Sequence, residues 1–321
     1  MFSQLGIGKL LGPILDRELD RKSVSFPNMQ PRGDTLVMVS DFGGHHRGQQ
    51  YHTYAFLTFD LEKNGVWLAG QRRFRESALN RRRISFKNMN DSVRRRSLIP
   101  FLNLANCIDG WLVLFAISKR GGSLFEQSKP KERALLDIWK PAVQEQLLRI
   151  LHFSAFLLSG LTAPAQDVLW IIDEDDVAAN SEQLARLTNL LGQISSHSLT
   201  HDMGHLRCGT TCLDDGTIAL EDLAAIADLS AGAFCEIATG MVAQGRNSAK
   251  GIATPLPTNL SWKSRVLAAW LANDRQPLRR LAYIIQLDEN SQRIGATALQ
   301  WHAISGSLAL PYRPLSARGC L

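Results

Sequence analysis

The hydrophobic pattern in the first part of the chain predicts β-strands. The run "DTLVMVSD" (34–41) is short and apolar, and "YHTYAFLTFDLE" (51–62) partly alternates apolar and polar residues. A third run, "VWLAGQRRF" (66–74), follows an Asn-Gly turn signal. Runs of this length, bounded by Gly, Asn and Asp, are typical of strands joined by tight turns. The pattern therefore predicts three antiparallel strands.

The pattern then alternates between helices and strands. The stretch 91–108 has helical spacing, with Asp91 or Ser92 as N-cap and a kink or break expected at Pro100. The nearly continuous apolar runs "GWLVLFAISK" (110–119) and "DVLWII" (167–172) are typical of strands buried on both faces. A helical pattern between them predicts a right-handed crossover and a parallel pairing of these two strands. It runs from Lys131 to about Leu161.

The remaining elements complete an α/β arrangement. Helices are predicted over 180–194 and 219–239, with an edge strand in "HLRCGTTCLDDG" (205–216) between them. After a loose stretch, the last part of the chain indicates a helix and a hairpin. We therefore expect an amphipathic N-terminal helix and linker (1–33), a main domain (34–245) and a C-terminal extension on or beside the core (246–321).

Composition fits a globular protein in a reducing compartment. The chain has 321 residues, 45% of them hydrophobic, and five cysteines, an odd number without disulfide-like spacing. The apolar run "LLRILHFSAFLLSGL" contains Arg149 and His152 and is shorter than the roughly 20 residues of a membrane span. We expect a cytoplasmic protein without a membrane segment.

The positive charge is concentrated in one segment. Residues 71–97 contain ten Arg or Lys against Glu76 and Asp91, a local charge of +8 within a total of +6, so the rest of the chain sums to −2. A solvated helix face is the ordinary explanation, but this excess favours a polyanion such as DNA or RNA. Candidate phosphate contacts are Arg72, Arg73, Arg75, Arg81, Arg82, Arg83, Arg94, Arg95 and Arg96.

Aspartates stand at three joints of the predicted fold. Asp41 ends the first strand, Asp173 follows the strand 167–172, and Asp228 lies in the helix 219–239. Asp41 could instead cap a turn before Gly43. Carboxylates gathered at strand ends are suited to Mg²⁺, which prefers hard oxygen ligands, and paired cations stabilise phosphodiester cleavage.

These segments together resemble a known family. "VMVSDFGG", "RRRISFKNMND" followed by "LIPFLNLANCIDGWLVLFAISK", "VLWIIDEDDVAAN" and "LEDLAAIADLSAGAF" are similar to the bacterial RNase H-like proteins grouped as domain of unknown function 3800. The resemblance covers about residues 34–240. It implies a mixed five-stranded sheet, three antiparallel strands followed by two parallel ones, flanked by helices. It also implies nuclease activity by analogy of fold.

The resemblance assigns roles by position. Asp41, Asp173 and Asp228 match the family's acids and Lys87 its lysine, which implies a catalytic site with Mg²⁺ or Mn²⁺ on the three aspartates. The family's Asp-Glu-Ser-Gly is replaced here by Asp41-Phe42-Gly43-Gly44, which removes a glutamate. Glu174 or Asp176 would compensate, or metal affinity would be reduced; Glu174 is the proposed fourth metal ligand.

Other acids and donors are given ordinary roles. Asp175 and Asp176 are expected in a solvated helix N-terminus, and Asp222 as first-turn charge. Asp222 and Asp228 are six residues apart, so they cannot both face one metal pair. The donors of "HSLTHDMGHLRCGTTC" (197–212) are too spread along the predicted strand to favour zinc. His45, His46 and His52 are loop residues or proton-transfer groups at the site's mouth.

Two hypotheses follow. The first is a metal-dependent nuclease that hydrolyses phosphodiester bonds of DNA or RNA. The second is a non-catalytic RNase H-like module that binds nucleic acid or acts as a scaffold, which the missing glutamate favours. A protein partner or a homo-oligomer is compatible with either. A protein kinase is excluded, since Asp41-Phe42-Gly43 lacks the Gly-rich loop and the His-Arg-Asp catalytic loop.

Overall fold

A computed structural model describes residues 33–79, 81–121, 123, 125, 134–244, 256–273, 276–288 and 293–299. The strands are β1 (Thr35–Gly43), β2 (Tyr51–Asp60), β3 (Gly110–Ser118), β4 (Asp167–Ile172), β5 (Leu206–Thr210), β6 (Leu278–Asp288) and β7 (Arg293–Ala298). The helices are α1 (Gly65–Phe74), α2 (Ser92–Ala105), α3 (Pro141–Leu161), α4 (Ser181–Ser198), α5 (Ala219–Ala243) and α6 (Trp262–Leu271). The predicted N-terminal helix lies outside the described residues.

The described strands form one mixed sheet in the order β5-β4-β1-β2-β3-β6-β7. β2 is antiparallel to β1 and β3, whereas β4 is parallel to β1, β5 to β4 and β6 to β3. Five strands, β1, β3, β4, β5 and β6, therefore run in the same direction. The α/β class is confirmed, but the sheet has seven strands rather than five.

The third predicted strand is wrong, because residues 66–74 lie in α1. Trp67, Gln71 and Arg75 are buried, and this four-residue spacing is the helical repeat rather than the alternation of a strand. β3 takes the place of the third antiparallel strand. The predicted pairing of β3 with β4 is also wrong: both point the same way, but β1 and β2 lie between them.

One expected helix break and one helix boundary differ from the prediction. Pro100 lies inside α2 without ending it. It is exposed, so water can bind the helix carbonyl that has no partner because proline lacks a backbone N–H. The helix predicted from Lys131 begins at Pro141, where a proline suits the first helical position. Asp91 caps α2 as predicted, accepting from the backbone N–H groups of Val93 and Arg94.

Helices cover both faces of the sheet. Val37 and Val39 of β1 contact the core beneath α1, α2, α5 and α6, a side we call the α5 face. Leu36 and Met38 contact the core beneath α3 and α4, the α3 face. Odd-numbered residues of β1 therefore point to the α5 face, as the two-residue repeat of a strand requires.

The helix α5 is the central helix of its face. It is the one described helix long and apolar enough to cross a membrane, and 72% of its most apolar window is buried inside the protein. It lies close to the sheet because of small residues: the Thr53 hydroxyl donates to the Ala231 carbonyl at 3.0 Å, and a side chain at Gly43 would clash with Thr53. Its length and burial identify it as a core helix.

The C-terminal helix and hairpin are confirmed as α6 and β6–β7. α6 contacts the α5 face through Leu267 and Trp270. β6 pairs in parallel with β3, so the hairpin extends the sheet.

Candidate functional site

Asp41 and Asp173 occupy equivalent positions on neighbouring parallel strands. Ser40 of β1 is paired with Ile172 of β4, and the next residue of each segment is an aspartate: Asp41 near the carboxyl end of β1 and Asp173 directly after β4. Val39 and Ile171 contact the core of the α5 face. Asp41 is two residues after Val39 and Asp173 is two residues after Ile171, so both aspartates are expected to point to that same face. The sheet therefore presents two carboxylates at one edge, toward α5. Carboxyl ends of parallel strands are where open α/β sheets place their sites.

Asp228 of α5 joins this pair. Burial raises the pKa of Asp41 well above its ordinary value, and the charges of Asp228 and Asp173 raise it further. Burial also raises the pKa of Asp228 to about 6, with a further contribution from Asp173. Asp41 and Asp228 thus both experience the charge of Asp173, so the three predicted acids form one electrostatic cluster, here called the acid site.

One oxygen of each strand-end aspartate is held by local hydrogen bonds. The Asp41 Oδ1 accepts from the backbone N–H of Phe42. The Asp173 Oδ1 accepts from the backbone N–H of Glu174 at 2.9 Å and from the Thr211 hydroxyl at 3.3 Å. No described residue donates to the Oδ2 of either aspartate. Each side chain is therefore oriented through one oxygen and has the other available for a ligand.

Asp228 is oriented in the same way by Phe86. The Phe86 backbone N–H donates to its Oδ2, and no described residue donates to its Oδ1. The Phe86 ring lies against Gly232, where an added Cβ would be 2.4 Å from the ring carbon Cγ. Gly232 is therefore required for Phe86 to reach Asp228.

Lys263 of α6 is a site residue that sequence patterns did not indicate. Its ammonium donates to the Phe86 carbonyl at 2.6 Å and lies 3.8 Å from the centre of the Phe86 ring. Burial lowers the pKa of Lys263, while Glu236 and Asp228 raise it. Lys263 comes from a part of the chain far from the acids, so no local motif could have identified it. Lys87, the predicted lysine, is exposed and directly follows Phe86.

A fourth acid contributes, and it is Asp175. The prediction of Asp175 as a solvated helix-end residue is wrong: it is partly buried, burial raises its pKa to about 6, and its charge raises the pKa of Asp41. The Glu174 carboxylate instead accepts from the Cys212 thiol at 2.9 Å. The run of acids after β4 (173–176) correctly indicated that this loop belongs to the site. It did not indicate which of the acids is buried.

Phe42 points away from the acid site. Its ring lies 5.7 Å from that of Tyr54 and 6.2 Å from that of Phe56, within the core of the α3 face. A glutamate at position 42 would share this direction, because successive strand residues alternate between faces. The replacement of glutamate by Phe42 therefore removes no carboxylate from the α5 face.

Arg75 is not available to a ligand, which corrects its assignment as a phosphate contact. It is 6% exposed, and its Nε donates to the Asp222 carboxylate at 2.8 Å while a second guanidinium nitrogen binds the other carboxylate oxygen. Gln71 donates to the same carboxylate at 2.7 Å. Asp222 lies in the first turn of α5, as predicted, but it is fully buried by these contacts.

The other arginines of the basic segment lie on or near the α5 face. Arg94 is partly buried and pairs with Asp91, whereas Arg83 pairs with Glu221 at 2.9 Å and Arg95 lies over the Trp262 ring at 4.7 Å. α1 and α2 pack on the α5 face, and the Phe86 N–H between them donates to Asp228, so the basic segment, residues 71–97, reaches the acid site. The exposed arginines are Arg72, Arg73, Arg81, Arg82, Arg83, Arg95 and Arg96.

The histidines next to β1 and β2 form a separate group. The rings of His45 and His52 are 5.7 Å apart. Burial lowers the pKa of His52 to about 4, assisted by the charges of Arg149 and Lys119. His52 is therefore a neutral group at physiological pH.

The donors of the segment 197–212 bind different partners. His201 contacts the Thr162 hydroxyl at 3.0 Å, and His205 contacts the Asp167 carboxylate at 3.2 Å. Cys212 donates to Glu174. These contacts give the segment structural rather than shared ligand roles.

The carboxylates of the acid site are suited to a hard divalent cation, but the aspartates are not close enough together to bind one ion as they stand. Carboxylate oxygens are the ligands that Mg²⁺ and Mn²⁺ prefer. Within the described part of the chain, no group of three or more His, Cys, Asp or Glu side chains is close enough to hold a metal ion. Rotation of the short aspartate side chains among staggered rotamers would be needed to bring their open oxygens together.

Comparison with known proteins adds no family. No protein-family model matches the chain, and a search of curated proteins finds no significant match.

Proposed function

We propose that the protein is an RNase H-like nuclease that requires a divalent metal ion and hydrolyses phosphodiester bonds of nucleic acid. The observation that carries this proposal is the electrostatic cluster of Asp41, Asp173 and Asp228 at the carboxyl edge of two parallel strands. The succession of three antiparallel strands, β1 to β3, and two parallel strands beside β1 supports the RNase H-like assignment.

Three aspartates would hold the metal through their open oxygens: Oδ2 of Asp41, Oδ2 of Asp173 and Oδ1 of Asp228. Magnesium or manganese, when bound, supplies charge stabilisation for the attacking and leaving oxygens of a phosphodiester. The raised pKa values of Asp41 and Asp228 support this role, because carboxylates that are buried, and that also repel one another, are unfavourable as anions until a cation binds. The hydrogen bonds from Phe42, Glu174 and Phe86 each hold one oxygen of a carboxylate in the metal-free protein.

The basic segment would hold the nucleic acid. α1 and α2, which carry Arg72, Arg73, Arg95 and Arg96, cover the α5 face, and Phe86 between them donates to Asp228. A backbone bound along this segment would therefore pass beside the acid site. Arginine contacts to phosphates fix the position of a strand and carry no sequence information. We therefore expect cleavage without strong sequence preference.

Cleavage assays test the proposal. Single-stranded, duplex and RNA–DNA hybrid substrates are incubated with the protein and Mg²⁺ or Mn²⁺, with EDTA as the metal-free control. Asp41→Asn is expected to abolish cleavage. Asp109→Asn is the matched control, because Asp109 is exposed just before β3, at the opposite edge of the sheet. Equal cleavage by wild type and Asp41→Asn would refute the assignment.

A second candidate is a non-catalytic nucleic-acid-binding or scaffold module. It is favoured by the spacing of the acids, which form no closed ligand set among the described residues. This function predicts nucleic-acid binding that neither EDTA nor Asp41→Asn changes, together with no cleavage in any metal. The assays above therefore distinguish the two candidates.

A further inference from the structure

Lys263 and Asp228 bind opposite ends of the same residue. The Phe86 N–H donates to the Asp228 carboxylate, and the Phe86 carbonyl accepts from the Lys263 ammonium at 2.6 Å. The Phe86 ring, fixed between Gly232 and the ammonium, completes this contact. The positive charge of Lys263 therefore has a defined place beside the acid site.

The ammonium of Lys263 has no carboxylate partner among the described residues. Glu236, whose charge raises the pKa of Lys263, forms no ion pair with it, and its Oε2 accepts from the Ser261 hydroxyl at 2.7 Å and from the Ser264 hydroxyl at 2.7 Å. A lysine ammonium has three donors, and the Phe86 carbonyl uses one. Lys263 thus offers a partly buried charge that forms no ion pair among the described residues and has donors to spare.

We infer that Lys263 forms a phosphate-binding subsite with the exposed Lys87, the residue that follows Phe86. This subsite contacts internal phosphodiesters of the bound strand beside the acid site. The inference rests on the proposed function and deepens it. Lysine binds phosphate as a point charge, so the subsite would serve DNA and RNA alike. Its position next to Asp228 places the contacted phosphate close to the bond that is cut.

Salt-dependent binding tests the inference without requiring cleavage. Binding of full-length protein to a fluorescent single-stranded DNA oligonucleotide and its RNA counterpart is measured in EDTA over a range of salt. For a single strand, log K falls as log salt concentration rises, and each phosphate that the protein neutralises adds about 0.7 to the steepness of this fall. Lys263→Met is expected to lower the slope by about 0.7. Lys263→Arg, which retains the charge, is expected to restore it.

Lys140→Met is the matched control, since Lys140 is exposed at the start of α3, on the α3 face, and should leave the slope unchanged. If Lys263→Met does not fold by circular dichroism, Lys263→Gln replaces it. Comparing oligonucleotides with and without a 5′-phosphate shows whether Lys263 contacts an internal phosphodiester or a terminal phosphate. An effect seen only with the 5′-phosphate overturns the inference.

The outcomes separate this inference from the nuclease assignment. An unchanged slope in a Lys263→Met protein that binds and cleaves overturns the subsite and leaves the nuclease intact. A reduced slope in a protein that never cleaves supports the subsite and contradicts the nuclease. If the wild type binds neither strand, the subsite is overturned.

Discussion

Arg75 and Asp222 form a buried, two-pronged salt bridge that joins α1 to α5. Arg75 lies in the turn that follows α1, and Asp222 lies in the first turn of α5, the helix that carries Asp228. The pair therefore connects the basic segment to the helix of the acid site. Its role is structural, although both residues have the charge expected of functional groups.

Breaking this pair should destabilise the protein strongly. Arg75→Ala leaves a buried charge without a partner, and we expect the free energy of unfolding to fall by about 3 to 5 kcal/mol in urea titrations. Arg83→Ala is the matched control, because the Arg83 side chain is 71% exposed in its pair with Glu221. Its expected loss is at most about 1 kcal/mol. Equal losses for the two variants would contradict the structural role of Arg75.

Gly232 should be intolerant of any side chain. The added Cβ of Gly232→Ala would overlap the Phe86 ring, so Phe86 and its hydrogen bond to Asp228 must move. We expect a loss of about 1 to 3 kcal/mol of stability, as in other overpacked cores, together with reduced cleavage. Gly192→Ala in α4 is the control, since its Cβ would meet only Leu206 at 3.9 Å. Alanine there should stabilise the helix by up to about 1 kcal/mol.

The acid site should make stability fall as pH rises. Burial and Asp173 raise the pKa of Asp228 from 3.8 to about 6 in the folded protein. Its favourable contribution is complete below pH 3.8 and is lost as pH rises through about 6. In EDTA, we expect the free energy of unfolding of Asp228→Asn to equal that of wild type near pH 4 and to exceed it by about 1 to 3 kcal/mol at pH 7. A difference that is constant across this range in urea unfolding would contradict the raised pKa.

Metal binding should reverse this penalty. A ligand that binds only the folded protein stabilises it by about 2.7 kcal/mol at a concentration 100 times its Kd. We expect Mn²⁺ to raise the melting temperature of wild type and Asp109→Asn, but not of Asp41→Asn. A shift of equal size in all three proteins, measured by differential scanning fluorimetry, would show that the ion binds elsewhere.

The sequence was sufficient to find the acids, since each marks the end of an apolar strand or lies in a strongly apolar helix. Asp41 and Asp173 follow the runs of β1 and β4, and parallel pairing brings them level. Strand pairing itself was harder to predict. The apolar residues of 66–74 are compatible with a strand, and only the buried side of α1 shows the helical repeat.

The contacts that complete the site depend on tertiary structure. Lys263 reaches Phe86 across 177 positions of sequence, and Arg75 reaches Asp222 across 147. A charged residue gives no local sign of whether it is buried with a partner or exposed to a ligand. Arg75 and Arg72 are therefore equivalent in sequence patterning, although only Arg72 is exposed.

Anomalous diffraction from crystals soaked in Mn²⁺ would locate the cation that Asp41, Asp173 and Asp228 are proposed to hold for phosphodiester cleavage. We expect a manganese peak bound by the open oxygens of all three aspartates, and no such peak in Asp41→Asn crystals. A wild-type crystal without manganese among these carboxylates, at an ion concentration that supports cleavage, would contradict this assignment.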